Sequence, residues 1–237
     1  MKLWQRLVVY GLWIAVLPVL VIGFLAFNLG REELKTDAIR HLQEINILKK
    51  AEFDRWMEDS ADNLREAAQR PLVRKYAAEL DATAGVIGSE ILTSLRNDHL
   101  LPILDEEGTF LELLLLRASD GLVLVSTDQA QEGKYRQNEA YFLEGRRQTT
   151  IQNSYYLPSY GQGGITIATP IYGQDGEAVA VLAAHLDLSE LSHILAQGHS
   201  LSDSEETYVV NTSNLFVSES RFERGYPFKQ SIHTVGL

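Results

Sequence analysis

The sequence predicts an α+β protein: an N-terminal transmembrane helix, a long stalk helix, an antiparallel-sheet module and the start of a second, similar module. Three observations carry that prediction. Leu7–Leu29 is a run of 23 residues without a charge. Residues 31–70 hold apolar side chains at helical spacing and contain neither Pro nor Gly. From Phe110 onward the apolar residues fall into short runs separated by turns bearing Gly and Asp.

The chain has 237 residues, of which 45% are hydrophobic and 22% charged, a balance that excludes wholesale disorder. Lys plus Arg is 21 against 32 for Asp plus Glu, a net charge of −11. Such a surface lacks the clustered cations that displace counterions from a duplex, so no nucleic-acid partner is expected. Cysteine is absent, which rules out disulfides, thiolate metal ligands and cysteine nucleophiles.

At 1.5 Å per residue, Leu7–Leu29 makes roughly 34 Å of helix, enough to cross a bilayer. No small-residue cleavage site follows Asn28, so the segment reads as an uncleaved signal anchor. Lys2 and Arg6 precede it and no acidic residue lies in 1–29. The positive-inside rule therefore places the N-terminus in the cytoplasm and residues 30–237 outside. Residues 1–29 form the tip and anchor. Residues 30–104 form the stalk and N-terminal helices, in which Leu34, Leu42, Ile45, Leu48, Trp56, Leu64 and Ala68 recur with helical period. That stripe predicts a homodimer seam along residues 34–68. Pro71 stops the pattern, and a second helical stretch, Leu72–Leu100, is expected to break near Ala84-Gly85 and to close before Pro102.

The sheet module spans residues 105–198. Phe110–Ala118 and Leu122–Thr127 flank the turn Ser119-Asp120-Gly121 and read as a buried hairpin. Residues 128–164, polar and rich in Tyr, Gln and Gly, read as a long irregular connection. Ile165–Tyr172 and Glu177–Leu188 form a second strand pair around Gly173-Gln174-Asp175-Gly176. Ser189 is the expected N-cap of a short helix, Glu190–Gln197. A weak repeat at an offset of 93 lays Ser213-Asn214-Leu215 over Asp120-Gly121-Leu122. A second module thus starts near Ser202, and 202–237 holds only its opening, so the sequence reads as a fragment.

In their order, Asn138–Phe142 (NEAYF), Ile165–Ile171 (ITIATPI), Gly176–Leu191 and Glu206–Phe222 resemble the double-Cache sensor domain, a tandem PAS-like extracytoplasmic module of bacterial signalling receptors. Lys229, Gln230 and Thr234 continue the last stretch. The resemblance implies a small-molecule pocket in the membrane-distal module, walled by residues 134–164 and the inward faces of the last two strands. Relatives that bind amino acids carry an Arg where this chain has Glu139, and an Asp where it has His185. Simple amino acids are therefore not the implied ligand.

Tyr141, Phe142, Tyr155, Tyr156 and Tyr160 offer the flat apolar faces with polar tips that line pockets. Packing of the module against its own loop would use the same residues. Arg146 and Arg147 could clamp an anion or simply be solvated. The ligand-binding candidates are Tyr141, Phe142, Tyr155, Tyr156, Glu139, His185 and Arg146. His185, Asp187, Glu190 and His193 read as a strand end followed by a solvated helix, so no metal and no cofactor is expected. Nucleophile elbows, H-E-x-x-H and kinase motifs are absent.

These features predict extracytoplasmic sensing of a small molecule by the N-terminal part of a transmembrane receptor, with a histidine kinase as output. A diguanylate cyclase or chemotaxis receptor on the same sensor is the alternative. A membrane-anchored hydrolase or an assembly protein would be of a different class, and whether the whole protein is an enzyme is left open.

Overall fold

The computed structural model describes residues 3–82, 89–196, 206–211 and 213–218. Ala84-Gly85, Gly198, Thr212 and most of the second module, including Lys229, Gln230 and Thr234, lie outside the described residues.

Helix α1 runs Leu3–Gln69 with Pro18 inside it. The chain divides into two compact units, Met1–Lys50 and Ala51–Leu237. In the first unit, Leu20, Phe24, Phe27 and Leu29 are all exposed. A helix apolar on every side and buried on none is what a lipid-facing span requires. Among the described residues it is the one helix long and apolar enough to cross a membrane, with a mean hydropathy of 1.5. Further along the same unit, Leu34, Leu42 and Leu48 are exposed as well.

The second unit begins with the last third of α1. There Met57, Ala61, Leu64, Ala67 and Ala68 are buried in the core, and Trp56 packs against it. This corrects the expected seam over residues 34–68. The helical period persists, but from Trp56 onward the stripe faces the unit's own core. Pro71 opens α2 (Pro71–Ala82), where a missing N–H costs nothing, and Val73, Ala77 and Leu80 face the core. Helix α3 (Ser89–Ser94) passes into a π-helical segment, Leu95–Leu100, and then α4 (Leu101–Glu107). Helical structure therefore runs through Pro102, which stands in the first turn of α4, rather than closing before it.

Five antiparallel strands follow: β1 (Phe110–Arg117), β2 (Val123–Ser126), β3 (Thr150–Leu157), β4 (Gln162–Tyr172) and β5 (Ala178–Leu186). Their spatial order is β2-β1-β5-β4-β3. The expected irregular connection thus contains an edge strand, β3, and a short helix, α5 (Ala140–Gly145). Residues Thr150–Leu157 hide their period because Gln152, Asn153 and Ser154 put polar atoms on both faces. Helix α6 (Leu188–Ala196) is capped by Asp187, whose Oδ1 accepts the Ser189 N–H at 2.9 Å; Ser189 is inside the helix and not its cap.

Strand alternation divides the core. Leu113, Leu115, Ile165, Ile167, Leu182, Ala184 and Leu186 join Leu64, Leu80 and Leu191 of the helices in one cluster. On the opposite face Leu114, Leu116, Ala168, Val181 and Ala183 pack with Tyr141 and Phe142 of α5. Each fully buried Leu, Ile, Val or Phe among them contributes about 1.5–3 kcal/mol. Helix α5 approaches closely because residue 145 is Gly: a Cβ there would lie 2.7 Å from that of Ala168. The two turns paired by the internal repeat share a left-handed residue, Gly121 at φ 72° and Asn214 at φ 58°.

Candidate functional site

The face of the sheet under α5 carries a row of polar residues across four strands. Glu112 on β1 is the register partner of His185 on β5, and His185 of Thr166 on β4. Thr166 in turn pairs with Gln152 on β3. Glu112, His185 and Thr166 are all buried. The next row along the same face, Leu114, Ala183 and Ala168, is apolar.

Each member of the row is hydrogen-bonded, though the contact between Glu112 and His185 is longer than a hydrogen bond. Ser126 Oγ donates to Glu112 Oε1 at 2.6 Å, and Tyr160 OH donates to Oε2 at 3.1 Å. His185 Nε2 lies 3.8 Å from the same Oε2. On its other side His185 Nδ1 is 2.7 Å from Thr166 Oγ1, which also meets Tyr155 OH at 2.7 Å. The Tyr141 ring stands edge-on to the imidazole with centroids 5.9 Å apart. Gln152 Oε1 accepts the Tyr141 N–H at 2.9 Å, which ties α5 to the edge strand.

Burial sets the protonation states. It raises the Glu112 carboxyl above the ordinary range, partly offset by the Ser126 and Tyr160 hydrogen bonds. It lowers His185 to about 4, with the Arg136 guanidinium acting in the same direction, so the imidazole is neutral at pH 7. Burial pushes Tyr155 up to about 12 and lifts Tyr141 and Tyr160 above the usual phenol range. The site therefore holds neutral donors and acceptors around one desolvated acid.

A second chain of bonds leaves the row toward the helices. Arg96, in the π segment, donates from Nε to the Ser126 carbonyl at 2.9 Å and from Nη2 to Glu132. Glu132 Oε1 also accepts the Ser126 N–H at 3.0 Å. One residue, Ser126, thus joins Glu112 to Arg96.

No family model and no curated protein sequence matches this chain. Solved structures do. The ligand-binding domain of the amino-acid chemoreceptor PctC of Pseudomonas aeruginosa PAO1, in complex with GABA, superposes with a TM-score of 0.53 at 16% identity, over 77% of this chain and 76% of that one. The sensor domain of the V. cholerae histidine kinase DctB gives 0.53 and 16%, over 76% and 67%. The chain has the Cache-type, PAS-like α+β fold.

Within this Cache-type module the sequence-derived candidates fall into separate places. Tyr141, Tyr155 and His185 meet in the polar row. Glu139 is half-buried at the N-cap of α5, near enough to the Tyr141 and Tyr155 phenols to raise both. Phe142 is buried in the apolar cluster beneath α5. Arg146 lies over its ring at 5.4 Å and donates to the Ala118 carbonyl, away from the row. Tyr156 is 47% exposed, because neighbours on a strand point to opposite faces. Glu112, Thr166, Ser126 and Arg136 are the residues sequence reasoning missed. Glu112 had a signal: it is the one acid inside the apolar run Phe110–Leu116, and a charge in a fully buried strand calls for an explanation.

Proposed function

We propose that residues 30–237 form the extracytoplasmic sensor of a transmembrane signalling receptor, and that its small-molecule ligand binds over the Glu112–His185–Thr166 row. One observation carries this reading: a polar row with three buried members, Glu112, His185 and Thr166, lies on a face that α5 and the β3–β4 turn cover. Folding alone is served better by apolar residues, as in the row beside it. Tyr160 reaches Glu112 from the turn between β3 and β4, so lifting that turn frees Oε2 for a ligand donor. A desolvated carboxylate beside phenol and imidazole rings suits a neutral or cationic ligand. The row is poorly arranged for hydrolysis, because Ser126 gives its proton to Glu112 and not to His185.

As output we assign a histidine kinase, the class of the V. cholerae neighbour. The chemoreceptor PctC favours the second reading, a chemotaxis transducer on the same sensor. We further assign residues 30–237 to the outer side of the inner membrane. Alkaline phosphatase fused after residue 100 should be active, and activity only from a cytoplasmic reporter there would overturn the topology.

The ligand site is tested with the full chain in nanodiscs, using GABA, putrescine and glycine as probes. Putrescine or GABA should raise the melting temperature; saturating ligand at a hundredfold excess over Kd is worth about 2.7 kcal/mol. Glu112→Gln and Tyr155→Phe should remove that shift. A shift that survives both substitutions places the ligand elsewhere.

A further inference from the structure

A separate cleft of about 390 Å³ lies within the folded unit, bordered by the end of α1, the first turn of α2, the α5–β3 turn and the end of β4. Its lining has three charged side chains, and all are arginines: Arg65, Arg74 and Arg147. That is unusual for a chain with a net charge of −11. Gln148 and Thr149 add uncharged donors to the same wall.

Tyr172 organises the cations. Its carbonyl accepts Arg74 Nη2 at 3.2 Å and Nε at 3.4 Å, while its hydroxyl donates to the Arg147 carbonyl at 3.2 Å. A guanidinium carries five N–H donors, so Arg74 keeps three for a ligand. Arg74 also stands in the first turn of α2, where the helix dipole favours an anion. Arg147 is held only at 3.6 Å by Glu144, and Arg65 pairs with Asp62; neither acid lines the cleft. Guanidinium forks recognise carboxylate and phosphate oxygens in pairs.

We propose that this cleft binds a compact polyanion, a phosphate or a small polycarboxylate, at a site distinct from the Glu112 row. Three arginines drawn from three segments enclose a volume suited to a ligand of a few to a dozen heavy atoms. None of them touches the polar row, so the two sites are loaded independently.

The test is calorimetric titration of the full chain in detergent with citrate and with inorganic phosphate, against sodium chloride at matched ionic strength. Saturable binding of either probe, one per chain, is expected. Arg74→Ala with Arg147→Ala should weaken it at least tenfold, and Glu112→Gln should leave it unchanged. Where the loss of the Arg74–Tyr172 bonds unsettles α2, Arg147→Ala alone keeps the test valid and should still weaken binding severalfold. No saturable binding by either probe overturns the proposal, as does binding that survives the double substitution or is lost with Glu112→Gln.

Discussion

Glu112 and His185 are cross-strand partners whose closest polar atoms, Oε2 and Nε2, stand 3.8 Å apart, and burial moves their proton affinities in opposite directions. The acid is held toward its protonated form and the base toward its neutral form. Neither group carries charge comfortably here, and each therefore links stability to pH with its own sign.

For Glu112 the folded state binds its proton more tightly than the unfolded chain does, so its contribution is lost as pH rises above about 4.5. Glu112→Gln keeps the hydrogen-bonding shape without the charge. It should raise the stability of the full chain at pH 7.5 by roughly 1–3 kcal/mol. The gain should shrink toward pH 4.5. Denaturant titration at the two pH values checks this, and an equal gain at both would contradict it.

For His185 the unfolded chain binds the proton more tightly. Stability is fully present above pH 6.5 and is lost as pH falls toward about 4. The loss over that interval is about 3 kcal/mol. His185→Asn retains a polar partner for Thr166 and should flatten the pH profile of the melting temperature between pH 6.5 and 4. A variant with the parent's acid slope would locate the titrating group elsewhere.

Gly145 supplies a packing test. An added methyl would sit 2.7 Å from Ala168 Cβ and 3.1 Å from Val181 Cγ1, both in the sheet's tightly filled face. Ala is the better helix former by up to about 1 kcal/mol. Overpacking costs about 1–3 kcal/mol and outweighs it. Gly145→Ala should therefore lower the denaturation midpoint.

The stalk prediction is narrower than the sequence suggests. Leu34, Leu42 and Leu48 remain exposed, whereas Leu64 and Ala68 are buried in the folded unit. We therefore propose that a homodimer seam, if the chain pairs along its stalk, lies in residues 34–48. Replacing Leu34, Leu42 and Leu48 with Lys should convert the full chain in detergent to a monomer by light scattering while leaving the melting temperature of the sheet unit unchanged. Persistent dimers would move the seam.

The long apolar N-terminal helix, the order of the elements and four of the five strands were legible because apolar periodicity is a local property. Strand β3 was not, since an edge strand with Gln152, Asn153 and Ser154 alternates too weakly to register. Helix α5 was hidden by its length. Among the site residues, Tyr141 and His185 drew attention through a family pattern. Thr166 looked like any strand threonine until pairing set it between His185 and Tyr155. Which faces meet is a matter of register between strands, with partners as far apart in the chain as Glu112 and His185, and no local window contains that.

Arg96 gives the π-helical segment a further meaning. A stretch wound with i→i+5 bonds holds one residue more than an α-helix would need there. Its conversion to α geometry would turn the following helix by about 100°, one residue's worth of rotation. Arg96 lies inside that segment, and its guanidinium is fastened to Ser126 and Glu132. Ser126 is also the residue that bonds Glu112. Through its side chain and its backbone, Ser126 thus ties the buried acid of the sheet to the helical layer.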